Sequence, residues 1–208
     1  MKYLSYRLSA AMWARVLLLW FTLTIGALVV GVVAIGLGGF IQNNIRTELA
    51  SQQISFNAAD QMADEEKQIP DMVENAGQPL TTGNQAKVYS ELIALHVRNA
   101  AESAGYSGAT YATLGGIQRQ LQAALKAVDP KDQAAVDEAQ AKVTAVTNLR
   151  NTMQTASNLR GNLLSAYGWD NVATGIIATG AFVLALAVVF FVLFIYEWRR
   201  GHLPPTEL

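Results

Sequence analysis

Hydrophobic and polar positions follow two regimes along this chain. From Val16 to Ile41, and again from Asn171 to Tyr196, no residue is charged. At 1.5 Å of rise per helical residue, either run is longer than the roughly 30 Å hydrocarbon core of a bilayer. Apolar residues cover every face of such a helix, whereas the surface helix of a soluble domain keeps one polar face. The pattern therefore predicts membrane-spanning helices over 16–41 and 171–196.

Between the two runs the pattern turns periodic and Ala- and Gln-rich, which favours helix. Ile45, Leu49, Gln52, Phe56, Ala59 and Ala63 recur at spacings of three and four, so the first helix is expected to continue outward. Pro70 in "DEEKQIPD" should end it, and "ENAGQPLTTGN" should form a loop with Gly77, Pro79 and Gly83 as breakers. Thr82 and Gln85 have the spacing of a capping box, which starts a second helix lined by Val88, Leu92, Leu95 and Asn99 and stopped near Gly105. A third helix is expected over Tyr111–Val128 with the stripe Leu114, Ile117, Leu121, Ala124 and Val128, its start weakened by Gly115 and Gly116. In "VDPKD", Asp129 suits an N-cap, Pro130 the first helical position and Asp132 the positive helix end. The last helix carries Val136, Ala139, Val143, Val146, Leu149, Met153, Ala156, Leu159 and Leu163 on one side. It enters the second span through "LLSAYGWDNV", with Gly161 and Gly168 as points of bending. The fold class read from this is all-α: two transmembrane helices flanking an extracytoplasmic, four-helix-bundle-like domain. Its stripes are narrow and Ala-rich, so a partner or self-association is expected to stabilise it.

Charge sets the orientation. Lys2, Arg7 and Arg15 precede the first run, and Arg199 and Arg200 follow the second, whereas only Arg46 and Arg160 lie close to the runs on the other side. Cytoplasmic flanks carry the excess of Lys and Arg. Residues 1–15 and 197–208 are thus expected inside and 42–170 outside, with Trp13, Trp20, Tyr196 and Trp198 as inner interfacial aromatics and Tyr167 and Trp169 as outer ones. A first run far longer than the 7–15 residues of a signal-peptide core, with no convincing cleavage site after it, reads as an uncleaved anchor. Segment 42–170 has ten Lys and Arg against fourteen Asp and Glu, a net charge of −4, which does not suit nucleic acid. The chain has no cysteine, so disulfides and thiolate metal sites are excluded.

Little in the sequence points to chemistry. No Gly-x-Ser-x-Gly, phosphate loop, dinucleotide fingerprint or His-Glu-x-x-His is present. His96 stands five residues from Glu91, off the spacing that would pair them on one helix face, and His202 is alone near the C-terminus. Asp64, Glu65 and Glu66 read as a solvated helix end, with weak divalent-cation binding as the alternative. No catalytic residue, metal or cofactor is expected. Both runs lack internal ionisable groups, and Asp170 and Asn171 fall at the boundary, so an ion path is not indicated. Small residues at four-residue spacing are the remaining candidates: Ala27 with Gly31 and Ala34 with Gly38 in the first run, Gly175 with Thr179 and Ala181 with Ala185 in the second. Such pairs let helices approach closely, within the chain or with a partner.

The order of span, helical domain and span resembles the four-helix-bundle ligand-binding regions of chemoreceptors and sensor kinases, which continue into an output module; this chain is expected to stop at Leu208 without one. Four stretches, "ELASQQISF", "QAKVYSELIALHV", "GATYATL" and "ASNLRGNLLSAYGWDNVATGI", are similar to a group of uncharacterised two-span membrane proteins of actinobacterial type. There an element like Leu159-Arg160-Gly161-Asn162-Leu163 leads into the second span, and the stretch Gly115–Gln154 is longer here. That resemblance implies topology and no activity. Together these features lead to the expectation of a non-enzymatic bacterial plasma-membrane protein. Its role would be that of an accessory, scaffolding or interaction subunit, in contact with the lipid bilayer and with another membrane protein or a second copy. The alternative is an extracytoplasmic ligand-sensing subunit that signals through a partner.

Overall fold

The computed structural model describes residues 10–200; Lys2, Arg7 and His202 lie outside them. Four α-helices account for most of the described chain: α1 (Ala10–Ser51), α2 (Gly83–Ser103), α3 (Tyr111–Ala127) and α4 (Gln133–Arg200). A short 3-10 turn, Glu66–Gln68, interrupts the α1–α2 connection, and the described residues contain no strand, only an isolated bridge between Ser55 and Pro79. The chain divides into two compact units, an apolar one within 1–44 and 171–208 and a helical one, Ile45–Asp170. α1 and α4 contribute to both.

In the apolar unit α1 and α4 pair antiparallel. Gly31 lies against Gly180 and Leu184, and Gly38 against Ala173 and Ile177. Both contacts share one register, and a further step of seven brings Thr24 level with Ala187; Thr24, Gly31, Gly38, Ala173, Gly180 and Ala187 are all buried. A seven-residue repeat holds a seam facing its partner over several turns. Small residues on it allow the backbones themselves to touch. Large side chains point the other way: Phe21, Leu28, Val33, Phe40, Phe182, Val188 and Phe191 are exposed. Threonine hydroxyls are satisfied within their own helices, Thr24 donating to the Trp20 carbonyl at 2.7 Å and Thr179 to that of Gly175 at 2.9 Å.

The helical unit has the opposite arrangement. One core joins Leu49 of α1, Phe56, Met62, Met72 and Leu80 of the connection, Ala86, Val88 and Leu92 of α2, and Leu163 of α4. The other joins Ala101, Leu114, Val146, Leu149 and Met153 with half-buried Tyr106, Ile117 and Leu121. Full burial of one such leucine is worth about 1.5–3 kcal/mol. α2 starts at the expected capping box: the Thr82 hydroxyl accepts from the Gln85 N–H at 3.2 Å, and the Gln85 side chain accepts from the Thr82 N–H at 3.1 Å. It ends as a Schellman motif, with Gly105 at φ +79°, the Tyr106 N–H donating to the Ala101 carbonyl at 2.8 Å and the Gly105 N–H to that of Glu102 at 2.9 Å. α3 has a second box, Thr110 with Thr113, so its glycines do not delay its start.

Two expectations require correction. The first outer helix does not reach Pro70. α1 ends at Ser51, the Gln52 and Gln53 N–H groups bond three residues back, and Gln53 turns to φ 54°. Ile54 and Phe56 then run extended, with the Phe56 N–H on the Gln78 carbonyl at 3.0 Å and the Leu80 N–H on that of Ile54 at 2.9 Å. "ISF" alternates like a strand, and burial of Phe56 rewards that pairing over one more helical turn. Residues 52–82 therefore form a packed connection rather than a helix and a loop. Second, α4 is capped by Asp132 and not Asp129: the Asp132 carboxylate accepts from the Ala135 N–H at 3.1 Å, while Asp129 closes the preceding turn by accepting from the Lys131 N–H at 2.9 Å. Beyond its cap α4 is continuous helix through Gly161 and Gly168.

α2 and α4 also run antiparallel, tied at three successive levels. The Arg160 Nε donates to the Ser90 carbonyl at 3.0 Å, Lys87 lies 5.5 Å from the centre of the Tyr167 ring, and Gly83 abuts Asp170. A Cβ at Gly83 would lie 2.5 Å from the Asp170 Cβ, so the close approach requires glycine there.

Candidate functional site

The small residues singled out in the sequence separate into two groups. Gly31 and Gly38 are buried in the α1–α4 seam, and Ala27 and Ala34 are half-buried beside them. A Cβ on Gly31 would stand 2.6 Å from Leu184 and 2.9 Å from the Gly180 carbonyl oxygen. Gly175, Thr179, Ala181 and Ala185 are exposed, and nothing lies within 4 Å of where a Cβ on Gly175 would be. Helical geometry explains the split. Positions 27, 31, 34 and 38 advance by four, three and four, which keeps one face. Positions 175, 179, 181 and 185 contain a step of two, about 200° around the helix at 3.6 residues per turn. The residues of α4 that face α1 are instead Ala173, Gly180 and Ala187. Their seven-residue spacing, matched by Thr24, Gly31 and Gly38, was the available signal.

The second location is the connection 52–82 where it crosses α2. Glu66 is 7 % exposed. One carboxylate oxygen lies 2.6 Å from the His96 Nε2, and the other accepts from the Ala63 N–H at 3.0 Å. These bonds, the one from His96 foremost, hold the Glu66 carboxyl below the usual carboxylate range although burial opposes them. One turn further along α2, the Asn99 amide donates to Glu65 at 2.9 Å. Glu66 is thus a buried acceptor and not part of a solvated helix end, while Asp64 stays exposed beside Lys67 at 3.3 Å. Sequence spacing could not bring Glu66 to His96, thirty residues away, because their meeting depends on the tertiary path of the connection 52–82. The Glu91 side chain has no hydrogen bond or ion pair among the described residues.

Between this turn and α2 lies an open groove of about 530 Å³. Ala94 and Leu95 of α2 give it an apolar floor and Ile69 and Pro70 of the turn an apolar wall, and Glu65, Glu91, Arg98 and Glu102 also line it. Among the described residues, no three or more His, Cys, Asp or Glu side chains gather to hold a metal ion. A separate polar bridge ties α3 to α4: Arg150 stacks on Tyr111, 4.2 Å from the ring centre, and donates to Gln118 at 3.0 Å, and Gln118 donates to Thr147 at 2.7 Å. Arg150 also lies along Gly115. In comparisons with known proteins, no family model, no curated protein and no solved structure matches this chain.

Proposed function

We propose that the α1–α4 pair spans the bacterial plasma membrane, with Arg15, Arg199 and Arg200 on the cytoplasmic side and the unit 45–170 outside, and that the protein acts there as a non-enzymatic accessory or scaffolding subunit. One observation carries the membrane reading. Only 11 % of the residues in the most apolar window of either helix are buried within the chain, so most of their hydrophobic side chains face outward. Water would penalise that surface by about 25 cal/mol per Å², whereas lipid would not. The interaction role is supported by two outward pairs of small residues, Gly175 with Thr179 and Ala181 with Ala185, which lie on different faces of α4; at either pair another helix could pack closely.

The absence of native cysteine makes the topology directly testable. Exposed Ser103→Cys should react with a membrane-impermeant maleimide in intact cells, and Ala14→Cys only after permeabilisation. The reverse pattern would refute the orientation. Mild-detergent extraction should then recover the chain at fixed stoichiometry with another membrane protein, and a lone monomer or homo-oligomer would remove the accessory role. A second reading, ligand sensing by the outer unit through a partner, is favoured by the groove beside α2. A ligand that raises the melting temperature of the wild type but not of Leu95→Trp, which fills the groove floor, would support it.

A further inference from the structure

The segment 63–70 differs from the chain on either side of it. Met62 and Met72 are 4 % and 0 % exposed and anchor its ends in the first core. Between them only Glu66 is buried, and Ile69 is half-buried. Asp71, just beyond, takes φ 61°, a left-handed conformation that a non-glycine residue adopts at a cost of order 1 kcal/mol or more. The segment also contributes Glu65, Gln68, Ile69 and Pro70 to one wall of the groove. It is therefore a largely polar turn between two apolar anchors, with half-buried Ile69 packed against the same core, and it is held to α2 by side-chain bonds to His96 and Asn99.

We propose that this turn is an acid-released wall of the groove, latched against α2 at neutral pH by the bond between Glu66 and His96. A carboxylate accepts two hydrogen bonds here, and a protonated carboxyl keeps only part of that capacity. The charged groups around the latch are His96, Glu91, Arg98 and Glu102 on α2 and Asp64, Glu65 and Lys67 on the turn itself. Proton uptake also weakens the pull of Glu66 on the imidazole. Because the Glu66 carboxyl sits below its usual range, the latch is complete above the ordinary glutamate value and is lost as pH falls through the lower, folded one. The proposal stands whether or not the apolar pair crosses a membrane.

The test uses the full chain in nanodiscs with a nitroxide at Gln68→Cys, a site with no competing thiol. Acidification from neutral pH to well below the ordinary glutamate range should shorten the label's rotational correlation time about twofold or more, as a freed loop moves faster than a pinned one. The same label in Glu66→Gln should give one mobility at both pH values. A control label at Gln122→Cys on α3, and the helical circular dichroism, should stay unchanged. The proposal is overturned if the wild-type label does not respond, or if Glu66→Gln still loosens in acid. It is equally overturned if the α3 label and the helicity change together with the turn, because the unit would then be unfolding as a whole.

Discussion

The two units of this chain bury opposite things. In the apolar pair the buried residues are glycine, alanine and threonine, and phenylalanine, leucine and valine face out. In the unit 45–170 the buried side chains are mainly leucine, methionine, valine and phenylalanine, and the charges, Glu66 apart, face out. The same backbone geometry serves both, so what differs is the driving force. Where water surrounds a helix, area removed from water decides which side chains go inside. Where the surroundings are as apolar as the side chains, that force vanishes and close backbone approach decides. The contrast turns the chain's own packing into evidence about the medium around each unit.

The largest effect should come from emptying a water-driven core. Leu114→Ala removes a fully buried side chain and should cost about 2–5 kcal/mol, read as a lower denaturation midpoint of the full-length protein. The matching truncation Phe182→Ala, on an exposed apolar face, should change stability by less than about 0.5 kcal/mol in lipid. Equal losses at both sites would erase the comparison. Next, Gly31→Leu should push α1 from α4 and cost about 1–3 kcal/mol, while Gly175→Leu, which meets open space, should not. Thermal unfolding of both variants in the same nanodiscs distinguishes them. Arg150→Met keeps most of the side-chain bulk but removes the contact with the Tyr111 ring and the bond to Gln118. It should cost about 1–2 kcal/mol, and Gln118→Ala in that background should add less than it does alone. Gly115→Ala places its Cβ at ordinary contact distance from Arg150 inside α3 and should stabilise by up to about 1 kcal/mol. Smallest of all is a pH slope: stability should fall on the acid side as the Glu66 carboxylate is titrated, and His96→Ala should flatten that slope in an acid-denaturation series.

How far the sequence discloses this structure depends on whether the signal is local. Caps are local, and the Thr82–Gln85 box and the Gly105 stop appear where the residues require them. Asp129 misled because two aspartates, three residues apart, each suit a cap; the one whose carboxylate reaches the Ala135 N–H is Asp132. Helix existence is likewise legible over 83–103 and 111–127, where apolar spacing is sustained. The connection 52–82 was not legible as such, since Ile45 to Ala63 satisfies a helical period that the extended pairing of Ile54 and Phe56 with Gln78 and Leu80 overrides. That pairing is a tertiary fact, more than twenty residues in separation, and it is also what delivers Glu66 to His96. Within the apolar runs, four-residue spacing located the small residues of α1 that face the seam. It did not locate those of α4, where only the seven-residue step stays on one face.

The three ties between α2 and α4 have a mechanical consequence. Gly83 with Asp170, Lys87 with Tyr167 and Ser90 with Arg160 occupy one antiparallel register, and each depends on a different kind of contact. Sliding α4 past α2 by a single turn, about 5.4 Å, would lose all three at once, and turning it about its axis would take Asp170 out of the notch left by the missing side chain at Gly83. The two helices are geared together with little backlash. A thrust or twist applied to α4 at Asp170 is delivered to the first turn of α2, the same helix whose far half carries His96 and the groove.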